Sequence, residues 1–231
     1  MIPRATDWDA YYARPYKTAS VTRWYTTRTL VKLFRRFGAS NPWIVELGGA
    51  NSCFFETLVC DLTPSRYTII DNNRKGLDLS RSRREGSFRA DVINLDLASA
   101  VPKLAADIAF SIGLVEHFDE VGTCRVIDAH FSAVRPGGVV LISAPTPTLL
   151  YRVVRGIAER LDVWIFHDER PIATAELERG GPHDGSMLFS KILWPQILTQ
   201  RCVVWRAGTA SAQGSSGPES RRNAFARVER V

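Results

Sequence analysis

The sequence predicts an α/β chain in three layers, with helices on both faces of a mostly parallel seven-stranded sheet and an antiparallel strand at the sheet's C-terminal side. Two observations predict it. From residue 43 to about residue 145, short apolar runs rich in β-branched residues alternate with stretches of helical periodicity, the pattern of successive βα units. After residue 186, two strand-like runs, MLFSKILW and QILTQRCVVW, follow each other across Pro195, and so short a connection joins antiparallel strands.

The elements follow in order. Between Val21 and Phe37, apolar Leu30, Val31, Leu33, Phe34 and Phe37 alternate with Lys32, Arg35 and Arg36, which makes one striped helix stopped at Gly38. Ahead of it stand Trp8, Tyr11, Tyr12 and Tyr16, interrupted by Pro15, with Trp24 and Tyr25 in its first turns. Residues 43–47 form the first strand and 52–61 the first helix of the βα series. A second strand, Tyr67 to Ile70, ends at Asp71, and the arginine-rich stretch 73–84 is helix or loop. A short strand near 87–90 ends at Asp91. Residues 107–112 are a strand, a helix spans about 121–134, and Pro136-Gly137-Gly138 turns into a fifth strand, VVLISA. Residues 148–161 are amphipathic and helical; 162–186 is mixed and carries Trp164, Phe166, His167 and Asp168. The domain reading is a helical lid over 1–38, a main domain over 39–206 with a substrate-side insertion at 146–186, and a low-complexity tail over 207–231 expected to be disordered.

Bulk properties narrow the function classes. No run of eighteen apolar residues occurs, so no membrane-spanning helix is expected. The first residues lack the apolar core of a signal peptide, so a cytoplasmic location is expected. Cys53, Cys60, Cys124 and Cys202 lack metal-ligand spacing and read as reduced, mostly buried thiols; no metal is expected. Of the net charge of +6, residues 1–38 hold eight Lys/Arg against two Asp, and 206–231 hold five Arg against two Glu. Basic ends around a slightly acidic middle do not describe a dedicated nucleic-acid binder, but they suit an anionic substrate or membrane surface as well as plain solvation.

The densest information lies in WIVELGGAN, residues 43–51. A buried strand running through Glu46 into Gly48-Gly49 and on toward a helix lets a ligand approach bare backbone. The carboxylate inside that turn repels a pyrophosphate but suits a ligand with a positive charge and ribose hydroxyls. S-adenosyl-L-methionine therefore fits better than a dinucleotide, whose G-x-G-x-x-G requirement is met here only by G-G-A-N-S-C.

Four blocks in order, VELGGANS (45–52), TIIDNN (68–73), ADVINLDL (90–97) and FSIGLVEHF (110–118), with RPGGVVLIS (135–143) after them, resemble the Rossmann-like class I S-adenosylmethionine-dependent methyltransferases of the small-molecule "type 11/12" group. The match covers roughly residues 40–145. The resemblance implies that Glu46, Gly48 and Gly49 serve the methionine portion of the cofactor. It implies that Asp71, with Asn72 beside it, holds the ribose diol, although a plain helix cap at Asp71 is the other reading. Asp91 would accept from the adenine amino group, or Asp96 in its stead, with Val92 on the ring; Ser111, Ile112 and Gly113 would line the other side. The family's second and third loop glycines are Ala50 and Ser52 here, so the loop must be shaped so that residue 50 avoids positive φ.

The acceptor reads as a small molecule or a lipid- or glycan-linked group, because no Asn/Asp-Pro-Pro-Tyr tetrad follows the fourth strand. A base is needed only for a hydroxyl acceptor. His117 is the first choice and His167, paired with Asp168, the second. His130 reads as structural and His183 as a loop residue. The 148–161 helix suits peripheral membrane contact. Two other classes stay open, an NAD(P)-dependent oxidoreductase on a related fold and a non-catalytic module that binds S-adenosylmethionine or RNA.

Overall fold

The structure, a computed structural model, describes residues 5–13, 20–83, 85–182, 184–193 and 199–209. Helices α1 (Trp8–Ala13) and α2 (Ser20–Phe37) precede a series of β1 (Trp43–Leu47), α3 (Phe55–Leu62), β2 (Arg66–Asp71), α4 (Arg74–Ser82), β3 (Asp91–Asn94), β4 (Ala106–Ile112), a 3-10 turn at Val115–His117, α5 (Glu120–Ala133) and β5 (Val134–Pro145). Then come α6 (Leu149–Arg160), α7 (Thr174–Arg179), β6 (Ser186–Leu193) and β7 (Gln200–Arg206). The seven strands lie in the order β3-β2-β1-β4-β5-β7-β6. Pairings among β1 to β5 are parallel, while β7 runs antiparallel to both β5 and β6. The predicted fold class is the observed one.

Strand alternation sorts the core into two faces. On one, α2 and α3 cover Ile44, Tyr67, Ile69, Ile108 and Phe110. On the other, α5 and α7 cover Val45, Leu47, Ile70, Ala109 and Val140. Leu30, Val31 and Phe34 of α2 are part of the first core, with Phe34 edge-on to Phe110 at 5.4 Å. The second half of α2 thus packs into the first core, and among the described residues of 1–38 those that border the cleft are in α1 and the first turns of α2.

Three boundaries differ from the sequence reading. Helix α3 begins at Phe55 rather than 52, because Ser52 Oγ accepts the Phe54 amide at 3.1 Å and holds the preceding residues as loop. The third strand is Asp91–Asn94 rather than 87–90. Glu85 and Phe88 close a tight turn on each other through Gly86 at φ 58°, so the chain enters the sheet only at Asp91. At 207–209, where the tail was expected to begin, the chain is held to the sheet, since Ala207 donates to the Gly138 carbonyl at 2.9 Å and Gly208 accepts from Gly137 at 3.2 Å. Residues 210–231 and His183 lie outside the described residues. The four cysteines are free, but only Cys202 is buried: Cys53 lies in the loop before α3 and Cys60 faces outward on α3, donating to Glu85. Among the described residues no helix is long and apolar enough to cross a membrane.

Candidate active site

A cleft of about 520 Å³ opens beyond the carboxyl ends of β1 and β4, within the volume range of sites for small molecules and at the end of an open α/β sheet where such sites form. Its floor is the β1 turn. Gly48 sits at φ 71°, and a Cβ there would strike Leu114 Cδ1 at 2.6 Å. A Cβ on Gly49 would come within 2.5 Å of Glu46, so the turn stays open only while both positions are glycine. Ala50 is free of positive φ, as its side chain requires, and its amide and carbonyl are taken by Asp71 and Ser80.

Alternation on β1 turns Glu46 to the α2/α3 face, where it is buried and its Oε2 accepts the Tyr67 hydroxyl at 2.6 Å. Burial pushes its carboxyl up to about 7, although hydrogen bonds from Ser52 and Tyr67 pull the other way. Asp71 lies on the same face at the tip of β2. Its Oδ2 accepts the Ala50 amide at 3.1 Å and its Oδ1 the Asn73 amide at 2.8 Å, so it ties the β1 turn to the start of α4. Burial raises its carboxyl despite these bonds. Burial, and then the charge of Asp71, raise the phenol of Tyr12, which lines the cleft from α1 together with Trp8 and Tyr11. Arg83 grips the loop with a two-pronged contact to Glu56, at 2.8 and 2.5 Å, and further bonds to Asn51 and the Ser52 carbonyl.

The opposite wall comes from the 3-10 turn and the 146–186 segment. His117 Nδ1 lies 3.1 Å from Asp168 Oδ1, which also accepts the Thr6 hydroxyl. Burial lowers the His117 imidazole below its ordinary value, opposed by Asp168. Burial would raise Asp168, but Thr6 and His117 outweigh it and hold that carboxyl low. The ring is edge-on to Trp8 at 4.8 Å, and Phe166 stands 5.9 Å away. Beside it Glu116 is 2% exposed, and its Oε2 has no hydrogen-bond partner among the described residues. Burial, and then the charges of Glu169 and Asp168, push that carboxyl well up. Buried Glu169 accepts the Tyr151 hydroxyl.

Of the residues singled out in the sequence, Glu46, Gly48, Gly49, Ile112, Gly113 and His117 line this cleft, and Asp71 closes the turn beneath it. Five do not join them. Asp91 opens β3 instead of ending it, level with Thr68, and pairs with Arg66 at 2.5 Å. Val92 packs against the α2/α3 core, level with Ile69. Ser111 alternates to the α5 face, where its hydroxyl meets His130 Nε2 at 2.8 Å. His130 Nδ1 lies 2.7 Å from the Val126 carbonyl, an acceptor, so Nδ1 carries the proton and Ser111 is the donor to Nε2. Burial drives that imidazole down to about 4, keeping it neutral. His167 faces a separate outer hollow with Arg152 and Glu159, and its neighbour Asp168 pairs with His117 instead. Asn72 is exposed, its carbonyl accepting from Asn94 at 3.1 Å. Arg83 and Thr6 were not singled out; one lies in an arginine-rich run and the other ahead of the first helix, with nothing in the pattern to mark them.

Among solved structures, the chain is similar to the magnesium protoporphyrin IX methyltransferase ChlM from Synechocystis PCC 6803 with bound SAH, with a TM-score of 0.68 and 13% identity over 87% of this chain and 93% of that one. It is similar to the S-adenosylmethionine-dependent methyltransferase SibL, with a TM-score of 0.66 and 15% identity, where it covers 89% of itself and spans 63% of that chain's length. The N-methyltransferase NodS from Bradyrhizobium japonicum WM9 gives a TM-score of 0.58 at 14% identity over 78% and 86%. The fold is that of the class I methyltransferases. No family model matches the sequence, and no curated protein matches it either. In this methyltransferase fold the cleft occupies the end of the sheet at which β1 and β4 deliver their turns.

Proposed function

We propose that the chain is an S-adenosylmethionine-dependent methyltransferase acting on a small-molecule or lipid- or glycan-linked acceptor. The observation that carries this reading is a buried carboxyl, Glu46, beside a two-glycine turn on one side of the cleft, with a His117–Asp168 pair on the other. The residues fit the cofactor. The turn has room only for backbone, and a buried carboxyl held near neutrality is ready to ionise against a cation. Glu46, Gly48 and Gly49 would hold the methionine portion, Asp71 with Asn72 the ribose, and Ile112 and Gly113 the other side. Asp96, just past the carboxyl end of β3, takes the adenine role for which Asp91 is misplaced.

When bound, the cofactor supplies a methyl group already activated by a sulfonium centre. What remains for the chain is to align the acceptor, worth about 7–11 kcal/mol, to exclude water, and to move a proton if the acceptor is a hydroxyl. Trp8 and Phe166 shield His117 from solvent. With Nδ1 facing Asp168, Nε2 is the atom that accepts the proton, and the carboxylate stabilises the imidazolium that results. Four free thiols suit a reducing, cytoplasmic compartment. Calorimetry with S-adenosylhomocysteine and NAD tests the reading: the first should bind and the second should not, and the reverse outcome sinks it.

The pH dependence of S-adenosylmethionine binding should expose Glu46. Its carboxyl titrates at about 7 in the free protein, and a cationic ligand prefers the ionised form. Affinity is therefore full above that pH and falls by up to about tenfold for each unit below it. Titrations across this range with wild type and Glu46→Gln check it. A flat wild-type profile, or an unchanged slope in the variant, removes Glu46 from the ligand.

A further inference from the structure

Helix α6 is built inside out. Tyr151 alone is buried, whereas Leu149, Leu150, Val153, Val154, Ile157 and, one residue past its end, Leu161 face water. Leu149 is 80%, Ile157 52% and Leu161 67% exposed. At 3.6 residues per turn these six positions share a sector of about 140°. Soluble chains rarely leave so continuous an apolar stripe uncovered unless something docks on it.

The surrounding charge says what docks. Arg152 and Arg160 of the same helix are exposed, and no carboxylate pairs with either among the described residues; Arg155 is the arginine of α6 that is neutralised, by Glu159 and Glu169. Across the cleft, the first turns of α2 expose Val21 and Trp24, the latter 61% accessible, while Thr22 and Arg23 between them line the cleft. The segment 1–38 to which they belong is the most basic part of the chain, with eight Lys/Arg against two Asp. An outward apolar stripe on a helix that carries uncompensated arginines, with an exposed tryptophan elsewhere on the cleft's rim, is what an anionic bilayer surface takes up. We propose that α6 lies in the interface of an anionic lipid bilayer, stripe downward, with Arg152 and Arg160 meeting the headgroups. Tyr151 on the inner side of α6 lines the cleft, so docking brings the cleft to the lipid surface. This goes beyond methyl transfer and needs nothing of the cofactor.

Co-sedimentation of the full chain with phosphatidylcholine vesicles, and with vesicles that also contain phosphatidylglycerol, tests it. The chain should pellet with the anionic vesicles and much less with the neutral ones. Val153→Asp/Ile157→Asp should lower partitioning at least about tenfold, and Arg152→Ala/Arg160→Ala about fivefold per arginine. All four side chains are exposed, and circular dichroism verifies that the variants are folded. No pelleting of wild type with anionic vesicles, or equal pelleting of the aspartate variant, overturns the proposal. So does a dimer in sedimentation velocity that the aspartates abolish without any vesicle binding, which assigns the stripe to a second copy. S-adenosylhomocysteine titration without lipid reports separately on the methyl-transfer reading.

Discussion

His117→Ala is expected to lower kcat for a hydroxyl acceptor by about 10²–10⁴-fold while leaving S-adenosylhomocysteine affinity at the wild-type level. The expectation follows from how the ring is held. Asp168 faces Nδ1 and is itself fixed by Thr6, so Nδ1 keeps its proton and the lone pair is presented at Nε2. Burial keeps the ring neutral at pH 7, ready to accept. Asp168→Asn provides the sharper comparison. Its side-chain amide can donate to Nδ1, which moves the ring proton to Nε2 and leaves no acceptor there, so a fall of comparable size is expected with little change in KM. Burial outweighs Asp168, so the acidic limb of the pH–rate profile should lie below about 6.5, the ordinary imidazole value. Initial rates with methyl-labelled S-adenosylmethionine and the acceptor fraction that wild type methylates provide the measurement. Wild-type kcat in His117→Ala would remove the base from the mechanism. Parallel losses of rate and thermal stability in both variants would reduce the pair to packing.

Local pattern revealed most of the fold, and half of the residues it named for the site line the candidate cleft. The β1 turn was legible because a strand, a carboxyl and two glycines in succession permit few arrangements, and the structure shows why both glycines are needed. The third strand was not, because neither 87–90 nor 91–94 is strongly apolar; the turn between Glu85 and Phe88 decides which of them joins the sheet. That shift of a few residues moved Asp91 to the wrong end of its strand. Ser111 failed for a reason that was visible in principle: neighbours on a strand face opposite sides, so Ser111 and Ile112 could not both meet one ligand. The pairing of His117 with Asp168 spans 51 residues and joins two segments whose approach no periodicity describes. Adjacency in sequence had suggested His167–Asp168 instead, although successive loop residues commonly point apart. Fold follows from repeated local signals, whereas a site depends on where loops return.

Asp71→Ala should weaken S-adenosylhomocysteine binding by two or more orders of magnitude, and the structure adds a second consequence. Two hydrogen bonds to a charged carboxylate, at about 1.5–3 kcal/mol each, set the loss expected if Asp71 receives the ribose diol. The same carboxylate already accepts the amides of Ala50 and Asn73 through different oxygens. Removing it strands both amides, at about 1–3 kcal/mol for each buried donor, so the alanine variant should also be less stable. Affinity and stability then fall together, and a loop-tying role alone would give the same pair of losses. Asp71→Asn separates them. Its single carbonyl oxygen can keep one amide, so the stability cost is roughly halved, while the charge that favours the diol is gone altogether. Affinity should therefore remain far below wild type in the asparagine variant even where urea unfolding shows most of the stability recovered. If affinity instead tracks stability through wild type, asparagine and alanine, Asp71 holds the turn and the ribose must be bound elsewhere. Tyr12 sharpens the contrast, because it lines the cleft from α1 and is a partner of neither amide in question. Tyr12→Phe should leave the tie between β1 and α4 intact, so an altered affinity at unchanged stability in that variant would report on the open cleft alone.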